Sequence, residues 1–206
     1  MDSSLEVILR LQEAGYRKII TTPHIISDTY KNTPEIILGG LKKLNEFLIT
    51  NKVDISIEAA AEYYLDSWLI NEIGSGNQML TFGDKFFLFE MNYMSEPFQL
   101  NDFIFSLSTK GYKPVLAHPE RYQFMTLEKA EDIRSRGVLL QLNILSLIGY
   151  YSKPVQSMAN KLVDMGYVDF LGSDCHNLRQ ASLIKEAHKN KYFRKALNLP
   201  LYNHTL

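Results

Sequence analysis

Six short apolar runs, each followed by a stretch with helical periodicity, constrain this chain more than any other feature. The runs are 18–22, 55–60, 85–90, 114–117, 138–142 and 168–172, rich in β-branched and aromatic residues. Helical patterns lie between them. Thr33-Pro34 is an N-cap and first-turn pair that opens a helix to about Ile49, weakened by Gly39-Gly40. Leu65 to Ile73 reads as a short helix closed by Gly74-Ser75-Gly76-Asn77. Gln99 to Lys110, Leu127 to Arg136 and Pro154 to Met165 read as helices stopped by Gly111, Gly137 and Gly166. The chain opens on a helix in which Ser3 and Glu6 have the spacing of a capping box, and its end from about Ala181 is helical and polar.

Strands alternating with helices give parallel β/α units. With 206 residues, 46% of them apolar, there is material for one domain spanning 1–206. Two closures fit, an open doubly wound sheet and a barrel. No Gly-rich phosphate loop follows any strand, which weighs against a nucleotide-binding open sheet. Charge excludes other classes. Lys and Arg total 22 against 23 Asp and Glu, so there is no polybasic surface for nucleic acid and no acidic tail. No apolar run is long enough to insert in a membrane, and the first residues lack the basic start of a signal peptide. The lone Cys175 rules out an internal disulfide framework and a CxxC zinc ribbon, and fits a reducing, cytoplasmic setting.

The polar residues at the strand ends separate the two closures. The first strand leads to His24, the second to Glu62, the third ends at Glu90, the fourth leads to His118, and the sixth leads to Asp174 and His176. The fifth ends at Gln141-Leu142-Asn143, which is polar but a weaker ligand. Parallel barrels place their active sites at this end of the strands. Taken singly, each residue has a plain structural reading, since a lone His after a strand is more often a hydrogen-bonding group than a ligand. Glu90 after four apolar residues resists that reading, because a buried carboxylate needs a cation, a partner or water. Glu62 beside Ala59-Ala60-Ala61 has the same difficulty. Jointly, these residues point to a metal site.

Imidazole and carboxylate donors without thiolate favour Mn, Fe, Zn or Mg. Two such ions about 3.5–4 Å apart can clamp a phosphoryl oxygen and activate a water. Cys175 has no Cys-x5-Arg loop and reads as packing beneath the site, not as a nucleophile. Arg121 and Arg179, each shortly after candidate ligands, have the guanidinium fork that suits phosphate oxygens, with a salt bridge to Glu120 or a surface charge as the plainer alternative. His188 and His204 read as solvated.

Thr21-Thr22-Pro23-His24, Ala61-Glu62-Tyr63-Tyr64, Phe89-Glu90-Met91, His118-Pro119-Glu120-Arg121-Tyr122 and Ser173-Asp174-Cys175-His176-Asn177 occur in that order. In these segments the whole chain resembles the PHP (polymerase and histidinol phosphatase) superfamily. Within it, the chain is similar to the manganese-dependent tyrosine-protein phosphatases of bacterial capsule and exopolysaccharide operons, the CpsB/YwqE type. The resemblance implies a distorted (β/α)7 barrel and a cluster of up to three ions, Mn2+ foremost. It implies His24 on an outer metal and Glu62 as a bridge. Glu90 and His118 would complete a second site, with Asp174 on the first metal and His176 joining His24 on the third. Arg121 and Arg179 would hold the phosphate, with attack by a metal-bridging hydroxide. The implied substrate is phosphotyrosine on a bacterial tyrosine kinase that controls polysaccharide export.

The family pattern begins with a strand carrying His-x-His and an Asp in the following loop, and neither is found here. The resemblance therefore implies an N-terminally truncated domain lacking the first barrel strand. Fewer ions are expected, with only the Glu62, Glu90 and His118 set complete, and activity impaired or lost. Two other readings remain: a histidinol-phosphatase-like phosphoesterase for small molecules, and a non-catalytic metal-binding or regulatory module.

Overall fold

The structure is a computed structural model that describes residues 2–206. Its centre is a curled parallel sheet, a half-barrel, with helices on the outer face. β1 (Lys18–Thr21) pairs in parallel with β3 (Ser56–Ala59). After short breaks at Thr22-Pro23 and Ala60-Ala61, β2 (His24–Ile25) and β4 (Glu62–Tyr64) resume the same pairing. Pro23 has no N–H to give a ladder, which accounts for the break in the first strand. Ala60 N–H donates to the Thr21 carbonyl and Glu62 N–H to the Pro23 carbonyl, so the two halves remain joined. The sheet continues through β5 (Phe86–Glu90), β6 (Lys113–Ala117), β7 (Leu139–Asn143) and β8 (Phe170–Gly172), all parallel and in chain order. The six expected strands are all present, the first two each broken once.

β5 shows why its aromatic run lacks polar alternation: all five residues are buried, as in a strand covered on both faces. Phe87 and Phe89 point into the layer shared with the outer helices. Phe86 and Leu88 turn the other way and pack with Val115, Ala117, Phe82 and Phe170 inside the curl. That inner cluster floors a cavity of about 900 Å³ walled by β1 on one side and β8 on the other. Among the described residues, neither β1 nor β8 pairs with a strand on its free side. Asn203 instead accepts from the Leu171 N–H and donates to the Leu171 carbonyl, capping β8 with a side-chain amide. The expected parallel β/α architecture is present as a curled half-barrel.

The helices follow their caps. α2 (Pro34–Thr50) begins at Thr33, whose hydroxyl accepts from Ile36 N–H, and runs intact through Gly39-Gly40. α3 (Ser67–Ser75) starts later than its apolar pattern suggests, because Asp66 takes the N-cap, accepting from Leu69 N–H at 2.8 Å. α4 (Leu100–Thr109), α5 (Leu127–Ser135) and α7 (Lys153–Met165) lie as expected. Two details differ. Ser3 lies inside α1 (Asp2–Glu13) and is not its cap, so the capping-box reading fails. A buried turn, α6 (Ile144–Leu147), follows β7 directly, capped by the Asn143 side chain. Toward the end, α8 (Leu178–Ala187) packs on α1 through Leu11, Ala14, Ala181 and Ile184, and α9 (Lys191–Ala196) follows.

Candidate metal centre

Parallel pairing brings the strand-end residues into one register. His24 is opposite Glu62 in the β2–β4 pair, and Tyr64 is opposite Glu90 in β4–β5. Glu62, Glu90 and His118 are all buried at the end of the sheet. His118 Nε2 lies 3.1 Å from Glu62 Oε1 and 3.5 Å from Glu90 Oε2. His24 Nδ1 lies 3.0 Å from Glu90 Oε1 and 3.6 Å from Glu62 Oε2. One donor atom each from His24, Glu62 and Glu90 falls within 4.8 Å of the others.

These contacts suit an ion better than they suit each other. His24 Nδ1 is buried and, despite its closeness to Glu90, makes no hydrogen bond of acceptable angle. His24 Nε2 meets His176 Nε2 at 3.4 Å, two imidazole nitrogens aimed at one another. His176 Nδ1 faces the Asp174 carbonyl at 2.9 Å, so that nitrogen carries the proton and Nε2 is left with its lone pair. Imidazole nitrogens and carboxylate oxygens crowded this closely, from separate segments of chain, form a polar ligand set around one point. The donor set of imidazoles and carboxylates fits a hard or borderline divalent ion.

Two backbone positions support this. His118 and Asp174 have φ of 37° and 46°, in the left-handed region that non-glycine residues seldom occupy. His118 directly follows β6, Asp174 comes two residues after β8, and both present ligand-type side chains to the cavity. Strain at such positions is held only where the surrounding structure imposes it, and it concentrates at functional sites.

Asp174 is anchored through one oxygen. Its Oδ2 accepts from Arg121 Nη1 at 3.0 Å and Asn143 Nδ2 at 2.8 Å, and Tyr151 Oη lies 3.4 Å away. Its Oδ1 faces His176. Asn143, the weaker ligand candidate, thus orients Asp174. Glu120 is buried beneath, accepting from Asn143 N–H and from the Ser146 hydroxyl at 2.6 Å. Burial pushes its carboxyl pKa up, and the plain reading of an Arg121–Glu120 salt bridge gives way to Arg121–Asp174.

Arg179 takes a different position from Arg121. It is exposed in the first turn of α8, and among the described residues no hydrogen bond or ion pair ties it to the cluster. Cys175 is half-buried against the α1–α8 cluster, and burial raises its thiol pKa, as suits a packing residue. His188 and His204 are exposed, as expected. The residues that sequence reasoning missed are aromatic. Tyr93 and Tyr151 flank Arg121, and the buried Tyr122 hydroxyl accepts from Met91 N–H and donates to the Ala117 carbonyl. Tyr122 therefore ties the residue after Glu90 to the residue before His118.

The charges compensate one another when no metal is bound. Burial alone would lower the His118 pKa, but Glu62 and Glu90 override it and raise it to about 10. Burial alone would raise Glu90, but the His118 and His24 imidazoles beside it override that and hold it at about 2. His24 is likewise raised, chiefly by its pairing with Glu90. His118 is raised above its ordinary 6.5, so its stabilisation is complete below that pH and is lost as pH climbs toward about 10. Glu90 contributes above 4.5 and loses its contribution as pH falls toward about 2. A divalent cation must displace the imidazolium protons. Manganese uptake at pH 7 is therefore expected to release protons, and the apparent affinity to rise as pH is raised from 6.5. Titration in weakly buffered solution with a pH indicator reads both, and a pH-independent affinity would sink the assignment.

The comparisons with known proteins agree with this geometry. The profile of the CpsB/CapC family, described as capsular polysaccharide synthesis, matches residues 1–197. The tyrosine-protein phosphatase YwqE of Bacillus subtilis is 27% identical over 179 residues, covering 85% of this chain and 70% of YwqE. The tyrosine-protein phosphatase CpsB of Streptococcus agalactiae is 23% identical over 197 residues, covering 92% of this chain and 81% of CpsB. A crystal structure from work on YwqE of Bacillus subtilis and CpsB of Streptococcus pneumoniae, described as unique metal-dependent tyrosine phosphatases, superposes with a TM-score of 0.81. It is 26% identical and covers 96% of this chain and 78% of its own. A strand-end cluster of imidazoles and carboxylates, on a half-barrel of this shape and with this sequence profile, places the chain in the CpsB/CapC family of capsular polysaccharide synthesis.

Proposed function

We propose that this protein is a metal-dependent protein-tyrosine phosphatase acting on a phosphotyrosine protein of capsule or exopolysaccharide synthesis, its partner being a bacterial tyrosine kinase. The observation that carries the reading is the convergence of His24, Glu62, Glu90 and His118 at the ends of neighbouring parallel strands, in a chain whose relatives are named tyrosine-protein phosphatases. The 1–206 domain holds the ion set through those four residues with Asp174 and His176, and Mn2+ is the ion proposed. Divalent ions held there supply Lewis acidity toward a phosphoryl oxygen and acidify the attacking water. Arg121 keeps one nitrogen on Asp174 and has further N–H donors for phosphoryl oxygens at the cavity rim. Arg179 on α8 is the second, outer phosphate contact. The cavity of about 900 Å³ leaves room for a phenyl ring beside the cluster. Among the described residues no helix is long and apolar enough to cross a membrane. Work in the cytoplasm is part of the proposal.

The test is manganese-dependent phosphate release from a phosphotyrosine peptide, a phosphoserine peptide and a small aliphatic phosphomonoester. Release from the phosphotyrosine peptide, stimulated by manganese and stopped by a chelator, is expected. Preferential turnover of the aliphatic ester would move the protein to small-molecule phosphoesterases. Bound metal with no turnover of any substrate would leave a binding module.

A further inference from the structure

We propose that Tyr93 and Tyr151 are positioning residues that hold the Arg121 guanidinium against both their rings, ready for a phosphoryl group before substrate arrives. The inference rests on the reading of Arg121 as a phosphate-binding residue. The Arg121 guanidinium carbon lies 4.9 Å from the Tyr93 ring centroid and 4.4 Å from that of Tyr151. Both are cation–π distances. The rings come from different segments, one after β5 and one after α6. Each is fixed in turn. Tyr93 stacks on His118 and on Tyr122, at 5.6 Å and 28° in both cases. Tyr151 packs edge-on against Tyr150 at 5.1 Å, and its hydroxyl accepts from Asn143 Nδ2 at 2.9 Å. The third restraint on Arg121 is the 3.0 Å contact with Asp174.

An unrestrained arginine loses rotamer freedom when it grips an anion, and that loss weakens binding. Two aromatic faces and one carboxylate remove the freedom beforehand, and they fix the plane of the fork. The same stack links the phosphate contact to the metal cluster, because Tyr93 touches both Arg121 and His118. With its aromatic neighbours occupied by Arg121, the pair serves the phosphate and not the phenyl ring of the substrate.

The experiment uses the full chain with Tyr93→Leu, Tyr151→Leu, Tyr93→Phe and Tyr151→Phe. Both tyrosines are half-buried, so the variants are expected to fold. Two readouts are taken. The first is the order of the Arg121 Nε–H group by NMR in the metal-free chain, which needs neither metal nor substrate. The Leu variants are expected to release it, and the Phe variants to keep it ordered. The second, with manganese, is the affinity for inorganic phosphate and the KM for aryl and alkyl phosphomonoesters. Each Leu variant is expected to weaken phosphate about 5-fold and to raise both KM values alike. The Phe variants should stay within about 2-fold of the parent, since the ring face is retained. An Arg121 Nε–H that stays ordered in the Leu variants overturns the proposal. So do Phe variants as impaired as Leu, or a loss confined to aryl substrates. If the parent chain turns over no phosphomonoester, the phosphatase reading fails by itself, and the Nε–H measurement still decides whether the rings hold Arg121.

Discussion

Glu62→Ala is expected to remove bound manganese and phosphatase activity together. Glu62 is buried at the start of β4, one oxygen facing His118 and the other facing His24. Its loss leaves two imidazoles crowding Glu90 alone. Removing an outer-shell partner of a metal ligand typically costs about 10–100-fold in affinity or activity. Removing a carboxylate that reaches both imidazoles should exceed that, and we expect a loss of more than about 100-fold. Glu62→Gln keeps the shape and loses the charge, so it separates a folding defect from a missing ligand. Metal content by mass spectrometry and phosphate release are measured on the same samples. A Glu62→Ala protein that keeps both its metal and its turnover would remove the centre from the proposed site.

Phe87→Ala carries the largest expected effect on stability. Phe87 is fully buried in the central strand and stacks on Tyr63 at 4.7 Å, with Phe103 and Tyr112 edge-on or tilted against it. Truncating a buried Phe costs about 3–5 kcal/mol, because the lost transfer energy adds to an incompletely filled cavity. Whole domains of this kind are stable by only about 5–15 kcal/mol, so the variant is expected to be marginal. The melting temperature should fall by roughly 10 °C, at about 2–4 °C per kcal/mol for this size. Thermal unfolding of metal-free protein gives the value without interference from ion binding. A loss under about 1 kcal/mol would mean that the outer layer repacks freely.

The parallel half-barrel was legible because its signals are local. Short apolar runs, caps and terminal glycines recur in a fixed order, and the ligand-type residues sit at the strand ends. The ligand-type residues were legible for the same reason. His24, Glu62, Glu90 and His118 occupy corresponding places in successive β/α units. The ring of side chains around Arg121 was not legible. Nothing in Asn92-Tyr93-Met94 or Gly149-Tyr150-Tyr151 marks a tyrosine that will meet an arginine from another unit. Such contacts depend on the curl of the sheet, a property of all the strands together. Ser3 misled for a complementary reason: a capping-box spacing recurs by chance, and α1 already includes Asp2. The short turn α6 escaped because four residues after a strand, three of them apolar, are too few to show a helical period.

The seam between β1 and β8 has a kinetic meaning. Outside it, the first helix packs on α8, and inside it His24 meets His176 across 152 residues of chain. The Glu62–His118 contact spans only 56. Contacts of long sequence separation carry the larger loop-closure cost and tend to be made late. The inner carboxylate–imidazole group can thus form while the two ends of the chain are still apart, but the histidine pair cannot. Metal capture at the seam would then time the last step of folding, the joining of the ends, while capture by Glu62, Glu90 and His118 would time an earlier one.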